Sequence, residues 1–369
     1  MRTSLVFIFI LLTVVTNAQT AEKTATPQET LTIKFPKFPI ANFPENSIPV
    51  SGIRLIQNVK DSTNLGYALK GMTGRVVILK PAKPLTEFLQ EHITRMYKED
   101  YTKDGSKILW VLKDLRLGEK SFGLRYAYTR LNADAYISKE GTLFKKVYSV
   151  DTVFVTEGTE LFTRAQGEDI ETVFRFLAKK TFQGSDLALG QPTEERTIEQ
   201  ITDQSKQNLV MPILTDSVYN EGAYATFEEF IRNKPSVMNF ESVYGEKNRI
   251  KFIKPGSDPQ TDTLHIWGLC QKGDIYKYHE GYLLKIEKQG MGFIISSYVE
   301  NTNRQNRSVF SSRMTGASVG GIAGGMIALS AFDELKSKQL LVKSIPYISD
   351  PVKQPLASCI DMKTGELSF

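Results

Sequence analysis

Cysteine and histidine are scarce in this chain of 369 residues, which contains two cysteines and three histidines. Two cysteines cannot build the disulfide framework of a small secreted domain. Of the histidines, His92 falls on the apolar side of a predicted helix, and it is predicted to be a hydrogen-bonded histidine at the edge of the core. His265 and His279 lie five and nine residues from Cys270, which are not the close spacings of zinc ligands. The sequence therefore predicts no metal site.

Motifs that identify common enzymes are also absent from the sequence. It contains no Walker sequence, no G-x-G-x-x-G fingerprint and no EF-hand loop. The run Gly316-Ala317-Ser318-Val319-Gly320 matches the G-x-S-x-G pattern, but all three histidines precede Ser318, whereas that nucleophile needs a histidine later in the chain. We therefore predict no catalytic residue and no cofactor, and we favour a protein that is not an enzyme. A hydrolase that uses unidentified carboxylates is the alternative, although no spacing nominates a partner for Asp134.

Neither sign of charge is in large excess. The chain has 46 lysines and arginines against 41 aspartates and glutamates, and the two signs are interleaved along it. Proteins that bind nucleic acids usually concentrate basic residues on one face. The charge pattern therefore predicts an ordinary mixed surface and no nucleic-acid partner.

An uncharged hydrophobic run of eleven residues, 5–15, follows Arg2 and precedes Thr16-Asn17-Ala18. A basic residue, a short apolar core and a small residue at the cleavage point are typical of a secretory signal peptide, and such a run is too short to span a bilayer. We therefore expect residues 1–18 to be removed and the mature protein to be secreted or periplasmic.

The remaining chain predicts a fold of the α+β class with two domains, each a mainly antiparallel sheet with one or two helices packed on one face. Residues 19–50 contain repeated prolines, which predict an extended arm whose phenylalanines pack on the first domain. The N-terminal domain is predicted to cover residues 51–182. Residues 183–215, with Gly184 among them, predict a linker, and residues 216–369 form the predicted C-terminal domain.

Two helices and a long hairpin are predicted in the N-terminal domain. Apolar residues recur every three or four positions in segments 85–97 and 168–180, as in amphipathic helices. Residues 125–137 alternate strictly, with small and aliphatic residues on one face and tyrosines and polar residues on the other. A turn at 139–141 leads back through residues 143–155, so these two strands should pair as a hairpin.

The C-terminal domain is predicted to be one helix against an antiparallel meander. Thr226 and Glu229 form a capping box, in which each side chain satisfies an otherwise unpaired N–H group of the first helical turn. Strand-like runs follow, at 249–254, 263–270, 275–278, 282–287 and 292–298. Residues 360–367 predict a final hairpin that rejoins the sheet.

Three short motifs stand out in this region, Gly222-x-Tyr224-x-Thr226-Phe227-Glu228-Glu229-Phe230, Asn233-x-Pro235-Ser236 and Trp267-Gly268-x-Cys270-x-x-Gly273-x-Ile275-Tyr276. Together they resemble a C-terminal module of secreted proteins of unknown function from Gram-negative bacteria. The resemblance covers about residues 215–300 and implies a fold but no activity. The order of elements in the N-terminal domain is also similar in outline to periplasmic accessory lipoproteins of lipid-transport systems, but no cysteine stands at the cleavage point.

Residues 314–332 carry no charge and include five glycines, Gly316, Gly320, Gly321, Gly324 and Gly325. Glycines four residues apart leave one face of a helix without side chains, which lets helices pack closely. As a helix the segment would be about 28 Å long, close to the hydrocarbon thickness of a bilayer. Membrane association, self-association into a homo-oligomer and packing on its own domain all stay open for this segment.

These features together predict an exported, non-enzymatic protein that binds a ligand or a partner in the cell envelope, neither of which the sequence identifies. A structural protein that self-assembles through residues 314–332 is a further alternative. Three alternatives stay open for Cys270 and Cys359: one disulfide, two buried thiols, or a reactive or metal-binding role.

The signal peptide leads to a first prediction. We expect the mature chain to begin at Gln19, because Ala18 is the small residue after which a signal peptidase cleaves. Mass spectrometry of the N-terminal peptide from the exported fraction would check this. Ala18→Phe should leave the precursor uncleaved, and an exported wild-type chain that keeps residues 1–18 would contradict the prediction.

Overall fold

The structure is a computed structural model, and it confirms the α+β class. Its described residues are 28–37, 48–59, 61–122, 124–158, 166–192, 194–207, 211–246, 249–258, 262–316, 345, 347–350 and 353–369. Residues 1–18 lie outside them. So do residues 317–332, with Gly320, Gly321, Gly324 and Gly325, whereas Gly316 is the last residue of a helix. Among the described residues no helix is long and apolar enough to cross a membrane.

The described residues form β-strands and α-helices that we number in chain order. The strands are β1 (Thr30–Thr32), β2 (Val50–Gln57), β3 (Tyr67–Lys70), β4 (Arg75–Lys80), β5 (Ser106–Phe122), β6 (Leu124–Ser138), β7 (Phe144–Gly158), β8 (Glu195–Arg196), β9 (Gly222–Tyr224), β10 (Glu241–Tyr244), β11 (Ile250–Ile253), β12 (Thr263–Leu264), β13 (Gly268–Gln271), β14 (Asp274–His279), β15 (Tyr282–Gln289), β16 (Gly292–Ile295), β17 (Cys359–Ile360) and β18 (Leu367–Ser368). The helices are α1 (Leu85–Tyr97), α2 (Gln166–Gly190), α3 (Ile198–Gln207), α4 (Pro212–Thr215), α5 (Phe227–Ile231) and α6 (Tyr298–Gly316).

A five-stranded sheet, in the order β2-β5-β6-β7-β8, forms the first half of the fold. β2 runs parallel to β5, and the other neighbours are antiparallel. The predicted hairpin is confirmed, since β6 and β7 pair from Arg125 opposite Gly158 to Ile137 opposite Lys145. The predicted alternation is confirmed as well: Leu131 and Ala133 enter the main core, and Tyr128 enters a separate cluster.

Helices α1 and α2 both pack their apolar residues into the main core on one face of this sheet, as predicted. α2 is longer than the predicted segment 168–180. Residues 181–190 continue its buried side with Phe182 and Ala188. Gly184, which suggested a boundary, instead lets the helix approach β7, because a Cβ atom there would lie 2.8 Å from a methyl carbon of Val147.

The arm contributes an edge strand, β1, to a three-stranded sheet in the order β1-β4-β3. Beyond that strand the ring of Phe35 stacks on His92, with ring centroids 3.6 Å apart, so this phenylalanine packs on α1 as expected. On the other side of the same sheet, Tyr67 and Leu69 of β3 are buried in one cluster with Phe293 of β16. The small sheet thus connects the main core to the second half of the fold, whose division into domains stays a prediction.

A seven-stranded sheet, in the order β18-β17-β16-β15-β14-β13-β9, forms the second half. The predicted meander is confirmed from β13 to β16, and the predicted terminal hairpin pairs with β16 through β17. The single strand predicted at 263–270 is wrong, because β12 belongs to a different sheet from β13. β12 is an edge of a three-stranded sheet in the order β10-β11-β12. After β12 the chain leaves that sheet and buries Trp267, whose ring stacks on Phe230 with centroids 4.2 Å apart.

The predicted capping box at the start of α5 is present with one change. The side chain of Thr226 accepts a hydrogen bond of 3.2 Å from the backbone N–H of Glu229. The carboxylate of Glu229 in turn accepts from the N–H of Ala225, at 2.7 Å, one residue before the expected donor. The two side chains therefore still fix the start of the helix.

A buried charge cluster attaches the terminal hairpin to the five-stranded sheet. The guanidinium of Arg130 on β6 lies 3.5 Å from Asp114, 3.2 Å from Asp151 and 3.1 Å from Asp361, and it donates a hydrogen bond to Ser368. Burial alone would lower the pKa of Arg130, but the three carboxylates raise it above its usual value. Arg130 therefore stays charged and holds β5, β7 and the terminal hairpin together.

We predict that Arg130→Met will destabilise the fold by about 3–5 kcal/mol, because it leaves buried carboxylates without their shared cation. Chemical denaturation followed by circular dichroism would measure this cost. Arg232→Met is the control, since Arg232 forms an exposed ion pair with Glu228 and such pairs contribute little. An unfolding midpoint of Arg130→Met equal to that of the control would contradict the prediction.

Candidate functional site

A cavity of about 460 Å³ lies on the five-stranded sheet, on the face opposite to α1 and α2. Strands β5, β6 and β7 form its floor, and β8 and α3 form its wall. Thr197 begins α3 with a reciprocal cap: its N–H donates to the Gln200 side chain, and its own side chain accepts from the N–H of Gln200. The residues of this wall lie in the segment 183–215, for which the sequence predicts a linker.

One side of the cavity is apolar. Val111 of β5, Tyr136 of β6, Phe144 of β7 and Ile201 of α3 line it and pack in one buried cluster. This cluster is separate from the main core, because alternate residues of a strand point to opposite faces of the sheet. These residues are almost fully buried, so they form a second, small core between the sheet and α3 beside the cavity.

Two β-bulges place basic residues on the other side of the cavity. The β5–β6 register shifts between Leu112 and Asp114, and Lys113 is the extra residue. The β6–β7 register shifts next to Tyr136, which lies opposite Lys146. Both lysines line the cavity. Since a bulge changes the direction of a side chain relative to strict alternation, periodicity alone would not have located them.

Asp134 of β6 is the centre of the polar side. Its carboxylate lies 2.6 Å from the ammonium group of Lys113 and 3.1 Å from that of Lys146. It also accepts hydrogen bonds from the hydroxyls of Ser149 and Tyr136. Burial would raise the pKa of Asp134, but the hydrogen bonds from Lys113 and Ser149 outweigh it and hold the pKa below its usual value. Asp134 is therefore ionised at neutral pH.

The rim of the cavity carries a second ion pair. Arg196 of β8 donates a hydrogen bond of 2.7 Å to Glu194 and another to the side chain of Gln204. The hydrogen bond from Arg196 lowers the pKa of Glu194. Neither acid of the cavity is thus suited to hold a proton at neutral pH, as a general acid must.

The cysteines are two buried free thiols in the structure, so the disulfide alternative is wrong. Cys270 lies on β13 and Cys359 on β17, four strand positions apart in the seven-stranded sheet. At about 4.8 Å per strand that is about 19 Å, whereas a disulfide needs Cα atoms about 4.4–6.8 Å apart. Burial raises the pKa of Cys270 to about 11 and also raises that of Cys359, which does not favour a reactive thiolate.

The structure places the three histidines apart from the cavity. His92 is buried, and its Nδ1 atom lies 2.9 Å from the guanidinium of Arg95. Burial, with a contribution from Arg95, lowers the pKa of His92 to about 3, so it is a neutral histidine at the core edge, as predicted. His265 is exposed and His279 is half-buried. No group of metal-ligating side chains occurs in the part of the chain that the structure describes.

Comparisons with known proteins do not assign a family. Neither a scan against protein-family models nor a search of curated proteins finds a match. Among solved structures, the chain is similar to a protein from Xanthomonas campestris of the family DUF330, at 14% identity and a TM-score of 0.30. The match covers 43% of this chain and 97% of that one. At this score the similarity supports no argument about function.

We predict that Asp134→Asn will cost about 1–3 kcal/mol at neutral pH, because two lysines lose a buried partner. The pKa of Asp134 is lower in the folded chain, so its contribution is present above the ordinary value of 3.8 and is lost as the pH falls through the folded-state pKa. The difference between wild type and variant should therefore shrink in acid. Denaturation curves at several pH values would measure it.

Glu194→Gln is the control for this series, because Glu194 is exposed and forms an ion pair at the rim. We expect it to change stability little at any pH. If the cost of Asp134→Asn were as large in acid as at neutral pH, the ion pairs with Lys113 and Lys146 would not explain it.

Proposed function

We propose that the protein is an exported, non-enzymatic ligand-binding protein that acts as an accessory module in the cell envelope. In this proposal its binding site is the cavity between the five-stranded sheet and α3. The observation that carries it is the lining of that cavity, where a buried apolar surface adjoins paired charges within about 460 Å³. Small-molecule sites are typically concave, about 300–1,000 Å³ in volume, and hold a few polar groups that orient the ligand.

The pairing of the charges favours binding over hydrolysis. A hydrolase with two carboxyl groups needs one of them protonated near neutral pH. In the cavity, both Asp134 and Glu194 have lowered pKa values and lie against basic groups. They are therefore unsuited to donate a proton to a ligand.

Two carboxyl groups with raised pKa values lie elsewhere in the fold. Burial raises the pKa of Glu119 to about 7 and that of Asp169 to about 6. Both oxygens of Glu119 already accept hydrogen bonds, from the N–H of Leu69 and from Gln166. The cavity beside Glu119 is only about 10 Å³, which is the size of one water molecule. A substrate would not fit there, so Glu119 does not favour the hydrolase alternative.

Export and a place in the envelope rest on the sequence. The hydrophobic run at residues 5–15 after Arg2 supports export, and the resemblance to secreted proteins agrees with it. Membrane association or self-association through residues 314–332 stays a prediction, because residues 317–332 lie outside the described residues.

The proposal can be tested by what the protein retains when it is purified. Wild type, Ile201→Trp and Ser205→Trp would be isolated natively from the cells that make them, and bound small molecules would be identified by mass spectrometry after denaturation. Both tryptophans would fill the cavity, and Ser205 is half-buried, so that substitution is the milder one for the fold. Leu187→Trp, at an exposed position of α2, is the control.

We expect wild type and Leu187→Trp to retain the same small molecule and the two cavity variants to lose it. Circular dichroism would confirm that all four proteins are folded. Equal retention by all four proteins would place the site elsewhere, and a wild-type protein that retains nothing would contradict the proposal.

A further inference from the structure

We infer that the outer edge of β7, residues 149–157, pairs with the same strand of a second copy of this chain, and that the Tyr347 hydroxyl closes this edge in the structure. The inference does not involve the cavity, so it goes beyond the proposed function and does not rest on it. It follows from backbone groups that the five-stranded sheet leaves unpaired.

Most of β7 has a strand neighbour on one side only. β6 pairs with it along its length, whereas β8 pairs on the other side with Phe144 and Lys145 alone. Among the described residues, 149–157 therefore form an outer edge of the sheet. Since residues of an antiparallel strand alternate between hydrogen-bonded and non-hydrogen-bonded pairs, every second residue turns its backbone groups away from β6.

The contacts of Tyr347 show which residues of β7 turn outward. The N–H of Val153 donates to the Tyr347 hydroxyl at 2.6 Å, and that hydroxyl donates to the carbonyl of Val153 at 2.6 Å. The backbone of Val153 therefore points away from β6. By alternation the same holds for four further residues, Ser149, Asp151, Val155 and Glu157, and the part of the chain that the structure describes supplies no partner for their outward backbone groups.

Tyr347 imitates a neighbouring strand at a single position. Its hydroxyl has one donor and can accept, so it replaces both the N–H and the C=O of a strand residue. The Gln354 side chain holds the segment that carries it, accepting from the N–H of Ile345 at 2.7 Å and donating to the carbonyl of Ile345 at 3.2 Å. The Tyr347 side chain itself is 59% exposed. An incoming strand would therefore displace one hydroxyl, and unpaired edges are ready sites for strand addition.

The sequence of the edge is complementary to itself. In an antiparallel pair centred on Val153, this residue lies opposite its own copy. Asp151 then lies opposite Val155 of the second copy, so that acid meets no acid. Ser149 likewise lies opposite Glu157 of the second copy. A register that placed Asp151 opposite Glu157 would set like charges against each other, which is destabilising.

The other face of the strand favours the same register. Phe154 packs edge-to-face on Phe176 of α2, with ring centroids 5.1 Å apart, and both rings are half-buried. In the pair centred on Val153, Phe154 lies opposite Thr152 of the second copy, and aromatic residues opposite β-branched residues stabilise a sheet. A two-fold axis provides this pair twice. The occupant that this edge fits is therefore a second copy of the chain.

Tyr347→Phe tests the inference with the full mature protein. Sedimentation equilibrium over a range of concentrations would give the dissociation constant of the dimer. We expect it to be about tenfold lower in Tyr347→Phe than in wild type, because the wild-type edge must first give up the hydrogen bonds of the hydroxyl. Tyr244→Phe, at an exposed tyrosine of β10, is the control and should match wild type.

Val155→Pro in the Tyr347→Phe background tests whether the dimer uses this edge. The N–H of Val155 points away from β6, so proline leaves the pairing of β6 and β7 intact and removes a donor from the outer edge. We expect the double variant to dimerise at least about tenfold more weakly than Tyr347→Phe. Its unfolding midpoint would show that it is folded.

Val153→Cys and Val155→Cys, each in the Tyr347→Phe background, test the register. The Cα atoms of the two copies of residue 153 would lie about 5.5 Å apart, within the range of a disulfide. The two copies of residue 155 would be four residues apart along the strand, about 14 Å. Both native cysteines are buried. We therefore expect a disulfide-linked dimer on oxidation of the Val153→Cys protein and none of the Val155→Cys protein.

Three results would overturn the inference. The first is an equal dissociation constant, or no dimer at all, for wild type and Tyr347→Phe. The second is a dimer that persists unchanged in a folded Val155→Pro double variant, which would place the contact elsewhere. The third is cross-linking at residue 155 that equals or exceeds cross-linking at residue 153. If Val155→Pro does not fold, the two cysteine variants decide whether the edge is used.

Discussion

The arrangement of the whole molecule depends on the pairing of Arg130 with three carboxylates. Asp114 comes from β5, Asp151 from β7 and Asp361 from the terminal hairpin, so one buried cation connects the five-stranded sheet to the end of the chain. Burying a charge costs free energy unless the charge is paired and hydrogen-bonded. The terminal hairpin is therefore most stable where Asp361 can pair with Arg130. That hairpin also forms the edge of the seven-stranded sheet. The ion pair between Arg130 and Asp361 therefore connects the five-stranded sheet to the seven-stranded sheet.

A second charge cluster on the same strand has an acid at its centre and basic residues around it, the reverse of the cluster around Arg130. Asp134 lies four residues from Arg130 on β6 and on the same face, about 14 Å away at the rise of an antiparallel strand. The terminal hairpin covers Arg130, whereas Asp134 is surrounded by two lysines that border a cavity. One face of one sheet thus carries both clusters, one covered by the terminal hairpin and the other beside a cavity.

Much of the fold was predictable from patterns within short segments. Alternation along residues 125–137 identified the face of β6 that carries both clusters, and the apolar periodicity identified α1 and the first part of α2. The errors have physical causes. Gly184 was predicted to lie in a linker, but it lies within α2 and lets that helix approach Val147. Residues 263–270 were predicted to be one strand, but they divide between two sheets because Trp267 turns into the core.

The sequence by itself determined the elements, their buried faces and the polar position of Asp134, because periodicity and capping depend on residues within a few positions of each other. Only the tertiary structure decided the candidate site. Its charges, Lys113, Asp134, Lys146 and Arg196, come from four strands, and two of these residues are brought into place by β-bulges. The spacing of residues along a chain contains no information on which strands pair or where their register shifts. The cavity therefore exists only once the sheet is assembled and α3 lies over it.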